Sequence, residues 1–212
     1  MSKIFTHLNT ANQISNFLKT FSDMNQEEKA AKANDIVTNH VGFAASAGLI
    51  PIPGADLAAV TAVQLNMLRQ LAKLYNVNFM ENIGKNVITA VAGTSIARVG
   101  ASLIKIIPGI GTVIGELGMA AMSGASTFAL GRVFASHFAK GGTLDDFDIR
   151  KSKKVYEEEL KNAKDVAKDA VKGTDLSDDL VSKLKKLSEL KEAGILTDEE
   201  FQTMKGKIIS QM

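Results

Sequence analysis

The sequence predicts an all-α protein: a Gly/Ala-rich helical bundle or set of helical hairpins, a charged helical linker, and a C-terminal two-helix hairpin. Three observations predict it. Apolar residues recur at spacings of three and four through most of the chain, which puts them on one face of a helix. Residues that start and stop helices punctuate those runs. Gly, Ala and Ser are interleaved with the aliphatic residues between Ala90 and Ala139, a pattern that lets helices approach closely.

The helices follow in order. In 1–25, Ile4, Phe5 and Leu8, then Ile14, Phe17, Leu18 and Phe21, form a weak amphipathic stretch. Asn25 with Glu28 three residues on is a capping box, so a helix is expected from about Gln26 to Leu49. Pro51 and Pro53 remove backbone donors and end it. Asp56 is placed to favour the start of the next helix, whose stripe is Leu57, Val60, Val63, Gln64, Met67, Leu68, Leu71 and Leu74. Asn76 to Asn82 reads as a break. A third helix is expected from Ile83 to Ile107, stopped by Pro108-Gly109. Ile110 to Phe138 is a long run of small and aliphatic residues, in which Gly111 and Gly115, and again Ala120 and Gly124, lie four apart.

Beyond Lys140-Gly141-Gly142 the chain becomes charge-dense. Residues 143–176 read as a charged helical linker. Glu157–Lys161 and Lys161–Asp165 are pairs four apart, each worth about 0.2–0.5 kcal/mol on an exposed helix. The apolar stripe there is thin: Val155, Leu160, Ala163, Val166, Ala167 and Ala170. In 177–212 the pattern sharpens. Leu180, Leu184, Leu187 and Leu190 make one stripe, and Gly194 sits where a helix C-terminus favours a left-handed residue. Thr197 with Glu200 is a second capping box, and Leu196 with Phe201 a hydrophobic staple. Met204 and Ile208 continue that face. A hairpin of this size cannot bury a self-sufficient core, so its apolar faces need a partner. The expected domains are thus 1–25, a hydrophobic body 26–142, the linker 143–176 and the tail hairpin 177–212.

Composition removes several function classes. A formal net charge of +2 gives no global argument for nucleic acid, and with no Cys there are neither disulfides nor thiolate metal sites. Trp, a usual marker of the bilayer interface, is absent. No secretory signal opens the chain, so its start reads as cytoplasmic. His7, His40 and His137 are scattered without metal-ligand spacing. Asp145-Asp146-Phe147-Asp148 lacks the Gly and terminal Glu of a calcium loop and reads as a solvated turn. Gly109, Gly111 and Gly115 invite a phosphate-loop reading, but the preceding strand and the Gly-Lys-Ser/Thr are missing, so structural packing is the expectation. No acid–base or nucleophile constellation stands out, and the chain is expected to be no enzyme and to need no cofactor or metal.

Two stretches resemble known families. Leu184-Lys-Lys-Leu-Ser-Glu-Leu-Lys-Glu-Ala-Gly-Ile-Leu-Thr-Asp-Glu-Glu-Phe201 is similar to the short C-terminal domain called SHOCT. That resemblance implies an appended tail with a suspected oligomerisation role and no catalytic residues. The body, about Ala33 to Gly142, resembles domain of unknown function 697. The matching stretches are Ile50-Pro-Ile-Pro-Gly-Ala-Asp56, Gln64-Leu-Asn-Met-Leu68 with Leu74-Tyr75, Ile106-Ile-Pro-Gly-Ile-Gly111 and Ser126-Thr-Phe-Ala-Leu-Gly131. It implies a helical hydrophobic module found beside GTPase domains or in bacterial membrane proteins. This chain carries no GTPase domain, so nucleotide coupling would need a separate protein.

The membrane question stays open on the sequence. A spanning helix needs about 20 mostly apolar residues. Val87 to Ile104 contains Arg98, and Ile110 to Gly131 contains Glu116. Each such charge costs roughly 2.5–3.5 kcal/mol at mid-helix on insertion scales. Arg98, Glu116 and Arg132, with Asp56 after the Pro-Gly turn, are rare charges in apolar surroundings. They read as an internal ion pair or a solvated helix face ahead of a polar path.

The function expected is that of a non-enzymatic, membrane-associated helical protein that forms homo-oligomers or recruits partners through its tail. It would lie on the cytoplasmic side of the bacterial inner membrane or in the cytoplasm. The residues expected to carry the interaction are Leu184, Leu187, Leu190, Leu196, Phe201, Met204 and Ile208. The positions expected to shape the body are Asp56, Arg98, Gly111, Gly115, Glu116 and Arg132. Two alternatives stand beside it: a soluble adaptor or effector of a separate GTPase partner, and a pore-forming or membrane-perturbing protein.

Overall fold

The computed structural model describes residues 26–49, 55–106, 116–163, 165–166, 169 and 180–210; within its helices the side chains of 55–57, 94–106 and 116–117 lie outside that description. The described residues contain helices and no strands. They are α1 Gln26–Ala47, α2 Ala55–Leu74, α3 Glu81–Ile106, α4 Glu116–Ala139, α5 Ile149–Asn162, α6 Leu180–Glu192 and α7 Asp198–Ser210. The all-α expectation holds. The amphipathic stretch within 1–25, the Asn25 cap and the glycines at 111 and 115 lie outside the described residues.

Helices α1 to α4 make the body. The tightest seam is between α1 and α4, and small residues create it. A Cβ built on Gly48 would lie 2.6 Å from Ser123 Oγ, 2.9 Å from the Met119 carbonyl oxygen and 3.1 Å from Ala120 Cα. Farther along, a Cβ on Gly131 would lie 2.5 Å from Val37 Cγ2. The expected close approach at Ala120 is therefore real, and its partner is α1.

The main core fills the space between these helices. Val37, Met67, Leu68, Leu71, Val91, Leu130 and Phe134 are all at most 1 % exposed. Full burial of one such side chain is worth roughly 1.5–3 kcal/mol. A polar cluster sits within this core. Gln64 Nε2 donates to Thr127 Oγ1 at 3.2 Å and to Ser126 Oγ at 3.3 Å, and the Tyr156 hydroxyl donates to Ser126 Oγ at 2.9 Å. Among the described residues no buried side-chain nitrogen or oxygen lacks a partner, as a low-dielectric interior requires.

Tyr156 brings a correction. The segment read as a charged linker contains α5, and α5 packs on α3 and α4 as part of the body. Tyr156 and Leu160 on it are completely buried. The aliphatic stripe seemed thin because its largest buried member is a tyrosine, whose ring is apolar and whose hydroxyl is satisfied within the core. Burial pushes the phenol up to about 12, against the smaller opposing effect of the bond to Ser126. The turn before α5 is built by the acidic run. Asp148 caps α5 by accepting from the Arg150 and Lys151 amides. Asp146 accepts from the Thr143 amide at 2.6 Å and from His137 Nε2 at 3.2 Å, while Phe147 packs on Phe134 at 5.0 Å between ring centroids.

Candidate interaction surface

The tail hairpin is fixed locally before it meets anything. At the end of α6, Gly194 takes φ +68, its amide donates to the Lys191 carbonyl, and the Ile195 amide donates to the Leu190 carbonyl. This is the double bond of a Schellman motif, which demands a residue free to enter the left-handed region. At the start of α7 the capping box is present in both directions: Glu200 N–H to Thr197 Oγ1 at 3.2 Å, and Thr197 N–H to Glu200 Oε2 at 2.9 Å. Leu196 and Phe201 belong to one apolar cluster, as the staple requires.

That cluster extends beyond the tail. Leu187, Leu190, Ile195, Leu196, Met204 and Ile208 pack together with Ala44 and Ala47 of α1 and with Ala59, Ala62 and Val63 of α2. Leu180, Leu184 and Phe201 join it partly buried, as do Phe43 and Val60. The apolar faces that needed a partner find one in the chain's own body. The seven expected interaction residues thus converge on one surface, and that surface is already covered. Four alanines on the receiving side keep it shallow, so the larger tail side chains can seat into it.

A polar contact crosses the seam. Asn66 Nδ2 donates to the Gly194 carbonyl at 3.2 Å. Its Oδ1 accepts from Gln70 Nε2 at 2.7 Å and faces His40 Nε2 at 3.0 Å, and His40 Nδ1 faces the Ile36 carbonyl at 2.7 Å. His40 is buried at 3 % exposure, and its ring meets Phe43 edge-on at 6.3 Å. The histidine positions Asn66, and Asn66 reads the turn of the tail. Sequence reading missed His40, Asn66 and the alanine face. The His40–Asn66 contact spans 26 positions and the Asn66–Gly194 contact 128, so no local spacing marks them.

The body positions fare differently. Arg132 is exposed on α4, opposite the buried Val133 and Phe134, so it reads as a residue of a solvated helix face and not as a charge held inside. Asp56, Arg98 and Glu116 lie on α2, α3 and α4, with side chains outside the described residues.

Comparison with known proteins fits this geometry. The model of a family described as "Domain of unknown function (DUF697)" matches residues 13–165. The chain belongs to this family. The DUF697 match runs past α5, in keeping with Tyr156 and Leu160 being core residues of the body. The model described as "Short C-terminal domain" (SHOCT) matches residues 182–209, the docked hairpin. "Magnetosome membrane protein 22" of Magnetospirillum gryphiswaldense is 33 % identical over 140 residues, covering 64 % of this chain and 72 % of that protein. No solved structure matches.

Proposed function

We propose that this DUF697 protein is a non-enzymatic, membrane-associated helical protein that assembles, or recruits partners, through its SHOCT tail. The similarity to a protein named for a membrane carries the first half. Among the described residues no helix is long and apolar enough to cross a membrane. The attachment we propose is one at a surface, and the sequence offers two apolar stretches for it. Gly48, just past the end of α1, lies against Met119 and Ala120 near the start of α4. In sequence, the stretches leading out of α1 and into α4 are apolar: 50–54 and 107–115 hold Ile50, Ile52, Ile107, Ile110, Val113 and Ile114 and no charge.

The docked hairpin supports the second half. A tail that folds only against an apolar face is a module for joining surfaces. Fractionation of cells after a carbonate wash tests the membrane half: the protein is expected with the membranes before the wash, and recovery wholly in the soluble fraction at that stage would end it. Light-scattering mass of the full chain against one carrying Leu187→Asp and Met204→Asp tests the tail half. An unchanged mass would sink it.

A further inference from the structure

We propose that the groove between the start of α1 and the end of α4 is a binding site for a slender organic anion, an unbranched hydrocarbon chain that ends in a carboxylate. The site lies on the body and stands or falls apart from the membrane and tail readings. The two helices run antiparallel, because Gly48 past the end of α1 meets Met119 and Ala120 near the start of α4, while Val37 meets Gly131. At both points the seam is too tight for an added Cβ. From Val37 toward the start of α1, small side chains leave it open. Ala30, Ala33 and Val37 on one side, with Ala135 and Ala139 on the other, line a cavity of about 180 Å³. Drug-sized ligands take roughly 300–1,000 Å³, so the occupant is small and narrow. The span of α4 from Arg132 to Ala139 rises about 10 Å, the extended length of a chain of about eight carbons.

Polar side chains line the same groove: Asn34 of α1, Tyr75 just past α2, and Arg132 and Ser136 of α4. Among the described residues, none of these side chains has a hydrogen bond or ion pair with another. Their neighbours at the end of α4 are committed elsewhere, since His137 bonds to the Thr143 carbonyl and to Asp146. Burial pushes the Tyr75 phenol up, so it stays protonated and donates. Arg132 carries a permanent positive charge on a planar fork that matches a carboxylate. No carboxylate among the described residues lines the groove. A cationic guest would therefore meet repulsion without a counter-charge, and a neutral alkane would gain nothing from Arg132. Arg132 and Ser136 are exposed, whereas Ala33 and Val37 are buried. A carboxylate held at Arg132, with its chain laid along the alanines, uses both parts of the groove.

Titration calorimetry on the full-length chain, with octanoate as the probe, tests the site. Octanoate is expected to bind at a single site. Octanol and acetate should each bind at least about tenfold more weakly, one for want of the charge and the other for want of the buried chain. Arg132→Gln should weaken octanoate by about tenfold or more, the loss expected when a charged hydrogen-bonded pair is removed. Lys140→Gln removes an exposed cation that does not line the groove, and it should leave the affinity unchanged. Ala135→Leu fills the groove and should abolish binding. Should circular dichroism show that variant unfolded, Ala30→Leu fills the groove from an exposed position and decides instead. No heat from octanoate at millimolar concentration overturns the site. So does octanol or acetate binding as tightly as octanoate, or an equal loss from Arg132→Gln and Lys140→Gln.

Discussion

Asn66 on α2 holds the carbonyl of Gly194 in the tail at 3.2 Å, and Gly194 is the one residue of that turn with a positive φ. The body therefore bonds to the tail at the point where the hairpin's geometry is most constrained. Asn66→Ala removes the bond, and Asn66→Asp removes the donor while keeping the shape. A net hydrogen bond is worth about 1 kcal/mol. Amide exchange in α6 and α7 is expected to speed up by about fivefold, with α4 amides unchanged. Equal protection of the tail in wild type and both variants would refute the role given to Asn66.

Glycines of the body divide by what surrounds them. Gly48 and Gly131 sit where α1 and α4 touch, and a Cβ there meets backbone at Met119 or the stiff Val37 side chain. Gly48→Ala and Gly131→Ala should each destabilise by about 1–3 kcal/mol, the usual cost of overpacking. Among the described residues, nothing lies within 4 Å of the same position at Gly42 and Gly118. Both are helical, so Gly42→Ala and Gly118→Ala should be neutral or stabilise by up to about 1 kcal/mol. Chemical denaturation of the four variants checks the split; matching losses at all four positions would contradict it.

Local signals in the sequence proved readable where the deciding groups are near neighbours. The Thr197–Glu200 box, the left-handed Gly194 and the Leu196–Phe201 staple each involve residues within five positions, and all are present. The helix boundaries near Gln26, Leu74 and Ile106 followed from the same kind of signal. What escaped has two causes. Tyr156 was left out of an apolar stripe because its hydroxyl makes it look polar, yet Ser126, thirty positions away, satisfies that hydroxyl. The docking of the tail depends on alanines of α1 and α2, whose small size reads equally well as close helix packing. Nothing local tells which of the two roles Ala59 or Ala62 serves.

Tyr156 should make the fold sensitive to alkali. Its phenol is raised from 10.0 to about 12 in the folded chain, chiefly by burial. A raised value means the folded state favours the protonated phenol. The resulting stability is fully present below pH 10 and is lost as pH climbs toward 12. At about 1.4 kcal/mol per unit, some 3 kcal/mol disappears across that window. Tyr156→Phe forfeits the bond to Ser126, costing about 1 kcal/mol at neutral pH, but has no proton to lose. Its stability should fall less steeply between pH 10 and 12 than that of the wild type. Parallel alkaline unfolding curves would show that the phenol stays solvated.

Acid should act at the other end of α5. Backbone bonds from Thr143 hold the Asp146 carboxyl below its ordinary range, helped by the Thr143 hydroxyl and His137. The Lys151 amide, then the Arg150 amide, do the same for Asp148 at the helix cap. Both groups favour the ionised form in the folded state more than in the unfolded chain. Their contribution is therefore complete above the unfolded value near 3.9 and drains away as pH drops below about 4. Asp146→Asn and Asp148→Asn should lower the thermal midpoint at pH 7, where the wild-type carboxylates accept charge-assisted bonds. By pH 3 the gap to wild type should have narrowed, because the wild-type groups are then taking up protons. The contrast matters because Asn remains a competent cap, so a gap that stayed constant from pH 7 to pH 3 would assign the effect to altered shape. A gap that shrinks ties the turn between α4 and α5 to the charge on these two carboxylates.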